Sequence, residues 1–403
     1  MSEIIRSELF KFYKSKKNLI IILLFFAYLF SINLYSLNQY KGYMSEEHST
    51  HQNKRVQAGG FLAQSTKRYE KDEKLTDEER EKLRDEIEFY RVERNKLMLM
   101  EFGYKEDIKE KYNYILMAEN DRYKNIINGL DSGIITEAFL NGKNMTTNDM
   151  QKKMILNQYI LDNEIQPILN PYTMTGANSL VMFLEGNNLL ILIFFIALLS
   201  VDIYLSEVEE GSYKSLYSQP FKRNQIFIGK IITITTISLL LIILGVILNF
   251  VIISMINGMG NMSYPIMTTE NIFSLSLSKN PGEFAIIPLW QYVIMGFGLL
   301  LPILFSTIAL IIFISIFSDS STKTLGISMM LLVMAFIFNN FISKQSIVNL
   351  FYPYCYLYVR DVIEVNNRSN YMFGILLNSL MTIGLFIMSY GRFVSKDFLG
   401  AKS

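Results

Sequence analysis

Six stretches of the chain are apolar for long enough to cross a bilayer: 18–37, 188–205, 226–256, 286–317, 324–341 and 371–390. About 20 apolar residues, at a rise of ~1.5 Å each, cover the ~30 Å of hydrocarbon in a membrane. The pattern therefore predicts an all-α membrane protein with six transmembrane helices. Between the first two runs, residues 38–186 switch to the spacing of amphipathic helices. Thr76 with Glu79 forms a capping box ahead of Leu83, Ile87, Tyr90 and Leu97 on one face. A second helix carries Ile108, Tyr112, Ile115 and Ile126. A third begins near Thr146 or Thr147 and carries Met150, Met154, Leu161 and Ile165 before Pro167. The segments 128–133 and 141–144 read as turns. The apolar stripes are thin, so this helical domain is expected to pack on a copy, a partner or the ends of the spans.

The flanks carry their own patterns. Residues 1–17 place Ile4, Ile5, Leu9, Phe12 and Tyr13 at helical spacing with bases between them, which predicts an interfacial helix. Residues 257–285 read as a polar loop. Residues 344–370 include the run 347–359, too apolar for a solvated loop and too short to span. A re-entrant helical pair and a packed aromatic loop at the interface both fit it.

Charge orients this arrangement. The net charge of +1 points neither to nucleic acid nor to an acidic partner. Lys and Arg beside the spans divide thirteen to four in favour of the side holding both termini, counted over the short loops. The positive-inside rule then puts residues 1–17, the loop 206–225 and the tail 391–403 in the cytoplasm and the domain 38–186 outside, in the plasma membrane. The single cysteine, Cys355, allows no intrachain disulfide, so the outer domain must hold by packing. The first apolar run is too long for a signal peptide and lacks a small-residue cleavage site after it. An Asn-, Lys- and Ile-rich composition hints at a low-GC Gram-positive source.

Enzyme chemistry is missing from the pattern. There is no phosphate-binding Gly-rich loop, no His-Glu-x-x-His and no Gly-x-Ser-x-Gly. His48 and His51, near Glu46 and Glu47, are read as solvated residues rather than metal ligands. The spans hold no charge in mid-membrane: Asp202 and Lys230 fall at interface depth. A central charge costs roughly 2.5–3.5 kcal/mol and is kept where ion coupling needs it. Its absence disfavours gradient-coupled transport. Asn249, Gln291, Asn339 and Asn378 are read as hydrogen-bonding groups between helices.

The segment 207–230 is the informative one. It runs Glu207, Glu210, Gly211, Ser212, Leu216, Pro220, Arg223, Lys230: acids, a glycine, a helix-length piece stopped by proline, then bases entering the next span. This order resembles the loop between the second and third spans of type-2 ABC exporter permeases, and Ser212 stands where threonine is frequent. The start of the chain, with Glu8, Leu9 and Lys11, is similar to the family's amphipathic elbow helix. The insert after the first span resembles the Gram-positive members with a large extracellular domain.

The resemblance implies that Glu207 to Pro220 form a coupling helix seated in a separate cytoplasmic ATPase. Two ATPase copies would bind ATP and magnesium, and the permease, itself without a cofactor, would pair with an identical or homologous permease. For such an exporter, the uncharged spans favour a hydrophobic or amphipathic cargo such as a peptide, toxin, antibiotic or lipid-like compound. A sodium exporter, or a sensor that transmits ATP-driven motion to a ligand-binding outer domain, remains an alternative; a membrane enzyme lacks its catalytic groups.

Overall fold

The structure is a computed structural model and describes residues 2–106, 109–137, 139, 145–212, 221–269, 272–273, 284–318, 320–342, 346–363 and 370–395. The chain divides into two compact units: a first of residues 1–33, 175–262 and 268–403, and a second of residues 34–174 and 263–267. Among the described residues, six helices are long and apolar enough to cross a membrane.

In the first unit, α1 (Ser2–Lys14) is followed by the start of α2 (Lys16–Lys71). Ser15 breaks the helix between them, its Oγ accepting from the Asn18 amide at 3.4 Å. Ile21, Phe25 and Leu29 recur every four residues and are buried, whereas Leu19, Ile20, Leu23 and Leu24 are exposed, as on a lipid-facing side. Gly245 makes room for them: a Cβ there would lie 2.9 Å from the Phe25 ring. That glycine belongs to α8 (Arg223–Asn257), and Asn33 donates to Asn249 of the same helix at 2.6 Å.

Two helices form the centre of this unit. They are α7 (Asn188–Glu209) and α9 (Leu289–Phe317). Their Leu192, Ile196, Ala197, Leu304, Ile308 and Ala309 are almost fully buried. Around them lie α8, α10 (Ser321–Phe341) and α13 (Tyr371–Ser395). Asn378 of α13 accepts from Ser306 of α9 at 2.9 Å, one of the interhelical bonds the polar residues in the spans foretell.

The fold departs from the sequence reading at four places. Hydropathy ends the first span at residue 37, but α2 continues unbroken to Lys71, because loss of apolar character does not terminate a helix that no breaker interrupts. Helix α6 (Gly176–Leu184) belongs to the first unit rather than to the domain 38–186. Gly176 and Ala177 donate to the carbonyls of Gly258 and Met259 at 3.0 and 2.7 Å, an approach so close that a Cβ on Gly176 would collide with Ser254. The polar loop 257–285 holds a short strand, β1 (Pro265–Thr269), and the start of a second, β2 (Phe284–Pro288). The fourth helix accordingly starts at Leu289 rather than at 286.

The apolar run 347–359 is packed inside the first unit as α11 (Ile347–Phe351), a 3-10 turn (Pro353–Leu357) and α12 (Val359–Ile363). Tyr354, Cys355, Tyr356 and Leu357 are buried. The Tyr352 hydroxyl donates to the carbonyl of Leu331, midway along α10, which places the turn deep among the spans. Gly374 of α13 receives the Tyr356 ring.

The second unit is a helical bundle of the rest of α2 with α3 (Asp77–Glu106), α4 (Tyr112–Asp131) and α5 (Thr147–Asp162). Capping boxes open α3 at Thr76–Glu79 and α5 at Thr146–Asp149. Phe89, Tyr90, Tyr123, Ile126, Ile135 and Met150 form its core. Helix α5 ends at Asp162, short of Ile165, and Ile108 lies outside the described residues. His51 is not solvated. It is buried, stacked on Tyr104 and 3.3 Å from Glu47.

Candidate functional site

At the end of the first unit where α1, the end of α7 and the start of α8 meet, four charges form a closed ring. Lys230 Nζ lies 2.9 Å from Glu207 Oε2 and 3.3 Å from Glu8 Oε2. Lys11 Nζ lies 2.5 Å from Glu207 Oε1 and 3.2 Å from Glu8 Oε1. Each carboxylate therefore touches both ammonium groups. Lys230 also donates to the carbonyl of Ile203 at 2.8 Å.

Burial makes the ring consequential. The Lys230, Glu8 and Glu207 side chains are 4%, 5% and 8% exposed. Buried charges persist where they are paired and hydrogen-bonded, and this ring has no net charge to bury. Half-burial pulls the Lys11 ammonium down, but the hydrogen bond to Glu207 and the charges of Glu8 and Glu207 outweigh it and hold its pKa above the ordinary value.

Local structure brings these groups together. Glu8 shares a helical face with Ile4, which packs on Gly229; a Cβ at Gly229 would meet Ile4 at 2.7 Å. Glycine before Lys230 thus lets α1 lie directly on α8. The opposite side of α1 presents Leu9, Phe10 and Tyr13 to the surroundings. The apolar residues of the elbow consequently divide, with Ile4 inward and Leu9 and Tyr13 outward, rather than forming one interfacial stripe. The Lys230 ammonium faces inward, to Glu8 and Glu207.

The segment between α7 and α8 leaves from this ring. Glu207 is still helical, two residues before the end of α7, and Glu209 reaches across to accept from the Ser321 amide of α10 at 2.6 Å. Glu210 is exposed, and Gly211 ends the helix with φ +70°, a left-handed conformation that glycine takes without strain. Ser212 follows, exposed. Leu216 and Pro220 lie outside the described residues. Arg223 opens α8 and donates to the carbonyl of Val394 in α13 at 2.7 Å.

The sequence named Glu8, Lys11, Glu207 and Lys230 separately, as parts of an elbow and of a loop. Their convergence was not legible, since 222 residues separate Glu8 from Lys230. A second link, Lys17 to Asp202 at 2.7 Å, was missed. One signal was available: a lysine five residues into an apolar run needs a carboxylate partner. Among the described residues, no group of three His, Cys, Asp or Glu side chains could hold a metal ion.

Among the described residues, six helices long and apolar enough to cross a membrane define a multi-pass membrane protein. The family model for ABC-2 family transporter proteins matches residues 2–398, and the chain belongs to that family. It is thus the membrane component of a transporter, not itself a catalyst, and its family implies an ABC ATPase as partner. No curated protein and no solved structure matches the chain.

Proposed function

We propose that this chain is the membrane-spanning subunit of an ATP-driven exporter. It moves a hydrophobic or amphipathic substrate, such as a peptide, toxin, antibiotic or lipid-like compound, out of the cell. It works with an identical or homologous permease on two cytoplasmic ATPase subunits, with both termini in the cytoplasm and the unit 34–174 outside. ATP and magnesium belong to the ATPase. The segment from Glu207 to Pro220 is the coupling element, and Arg223 and Lys230 fix its return.

One observation carries this reading. The loop is held at both flanks by the same buried ring, through Glu207 before it and Lys230 after it. A push on the loop is then delivered to α1, α7 and α8 together rather than dissipated in one helix. Among the described residues the centre of the first unit buries no charge, its polar groups being neutral ones such as Ser306 and Asn378, which suits an apolar cargo better than a small ion.

A second reading is favoured by the separate core of the unit 34–174: ATP-driven motion operates this unit as a sensor and nothing crosses the bilayer. Vesicles containing the permease and its ATPase distinguish the two. ATP-dependent movement of a labelled amphipathic peptide is the expected result. ATP hydrolysis stimulated without flux would establish the sensor instead.

A further inference from the structure

A cavity of about 340 Å³ lies between the end of α9 and the start of α10, lined by Phe313, Ile314, Phe317, Ser318, Lys323 and Ile327. Its walls are apolar, and Lys323 is the one charged residue among them. A second cation stands at the same wall: the Arg392 guanidinium of α13 lies over the Phe317 ring, 5.8 Å from its centre.

The pairing state of these cations sets them apart. Lys11, Lys17 and Lys230, on α1, α2 and α8, are each neutralised by a carboxylate. The Glu209–Ser321 and Arg223–Val394 bonds tie α7 to α10 and α8 to α13, so Lys323 and Arg392 belong to the same end of the unit. Neither has a carboxylate partner among the described residues; Asp319, in the link before α10, lies outside them. Two cations with no carboxylate partner among the described residues, beside an apolar cleft at the level where a long apolar helix ends, match an anionic headgroup with its acyl chain in the cleft.

We propose that this cleft is a binding site for an anionic phospholipid of the leaflet on that side, with the phosphate held by Lys323 and Arg392 and an acyl chain against Phe313, Phe317 and Ile327. The proposal stands apart from the exporter reading, because it needs only that the chain is embedded in a membrane. Its consequence is that the α9–α10 junction depends on bilayer composition.

The test uses the full-length protein, purified in detergent and titrated with phosphatidylglycerol or phosphatidylcholine of equal chain length, with bound lipid counted by native mass spectrometry. Phosphatidylglycerol is expected to bind more tightly than phosphatidylcholine. A surface cation contributes about 1 kcal/mol toward an anionic lipid, so Lys323→Gln with Arg392→Gln should lower that affinity roughly 30-fold. Lys323 and Arg392 are exposed, and elution as a single species would show that the variant folds. The wild-type comparison of the two lipids needs no variant. Equal binding of both lipids, or undiminished phosphatidylglycerol binding in a folded double variant, would overturn the proposal. Competition by inorganic phosphate at millimolar concentration would overturn it too, by revealing a site for a free anion.

Discussion

Both units bury charge, and they do so differently. In the helical unit 34–174, Arg122 of α4 meets Glu93 of α3 at 2.8 Å, with both side chains inside the bundle. Asn157, Glu119, Asn120 and Tyr123 form a hydrogen-bonded cluster alongside. These groups join helices that already share a core, and nothing projects from them. In the first unit, buried charge is concentrated at one end, in the ring that flanks a loop. The insert's pair is a packing device that apolar residues could replace. Under the proposed coupling, the ring links segments that move as one, and its polar character is then part of that task.

Single and paired substitutions separate the two kinds of buried charge. The largest effect is expected at the ring. Lys230→Met leaves Glu8 and Glu207 buried with Lys11 alone, at a cost of about 3–5 kcal/mol, and should abolish stable insertion as judged by protease resistance of the purified protein. Lys230→Met with Glu207→Met retains the Glu8–Lys11 pair. It should recover the fold but not ATP-driven activity with the ATPase. Recovery of both would reduce the ring to packing.

Arg122→Met should cost a similar or slightly smaller ~3–4 kcal/mol, since it strands Glu93. Adding Glu93→Leu should restore stability and leave activity unchanged, as measured by thermal unfolding and ATP hydrolysis. Gly374→Ala places a Cβ against the Tyr356 ring and should destabilise the buried 347–359 segment by about 1–3 kcal/mol, read as a lowered Tm.

The smallest effect is that of pH on the insert. A hydrogen bond from His51, opposed by burial, holds the Glu47 carboxyl below its ordinary value of 4.5. Its contribution is therefore complete above pH 4.5 and fades as pH falls through the lower folded value. Glu47→Gln should flatten the acid limb of the stability curve by no more than roughly 1 kcal/mol.

The same contrast explains what could be read from the sequence. Apolar runs report burial in lipid, so the six spans were legible, a capping box marked Thr76 with Glu79, and the start of α5 was narrowed to Thr146 or Thr147. The run 347–359 announced a packed segment because its aromatics had nowhere else to go. What escaped was non-local or uncoupled from hydropathy. The polar half of α2 continues a helix whose apolar half has ended, and α6 is nine residues whose close contact with Gly258 and Met259 only the fold reveals. At the candidate site every ring member was named, yet an elbow and a loop read separately do not disclose that Glu8 and Lys230 touch.

The coupling claim is tested most directly by cross-linking. Ser212→Cys, exposed beside Gly211, is compared with Met259→Cys, exposed beyond the opposite end of α8, while Cys355 stays buried. With a thiol-to-amine reagent and the co-expressed ATPase, residue 212 should yield an ATP-sensitive permease–ATPase adduct and residue 259 none. An adduct at 259, or none at 212 in a complex that hydrolyses ATP normally, would contradict the account.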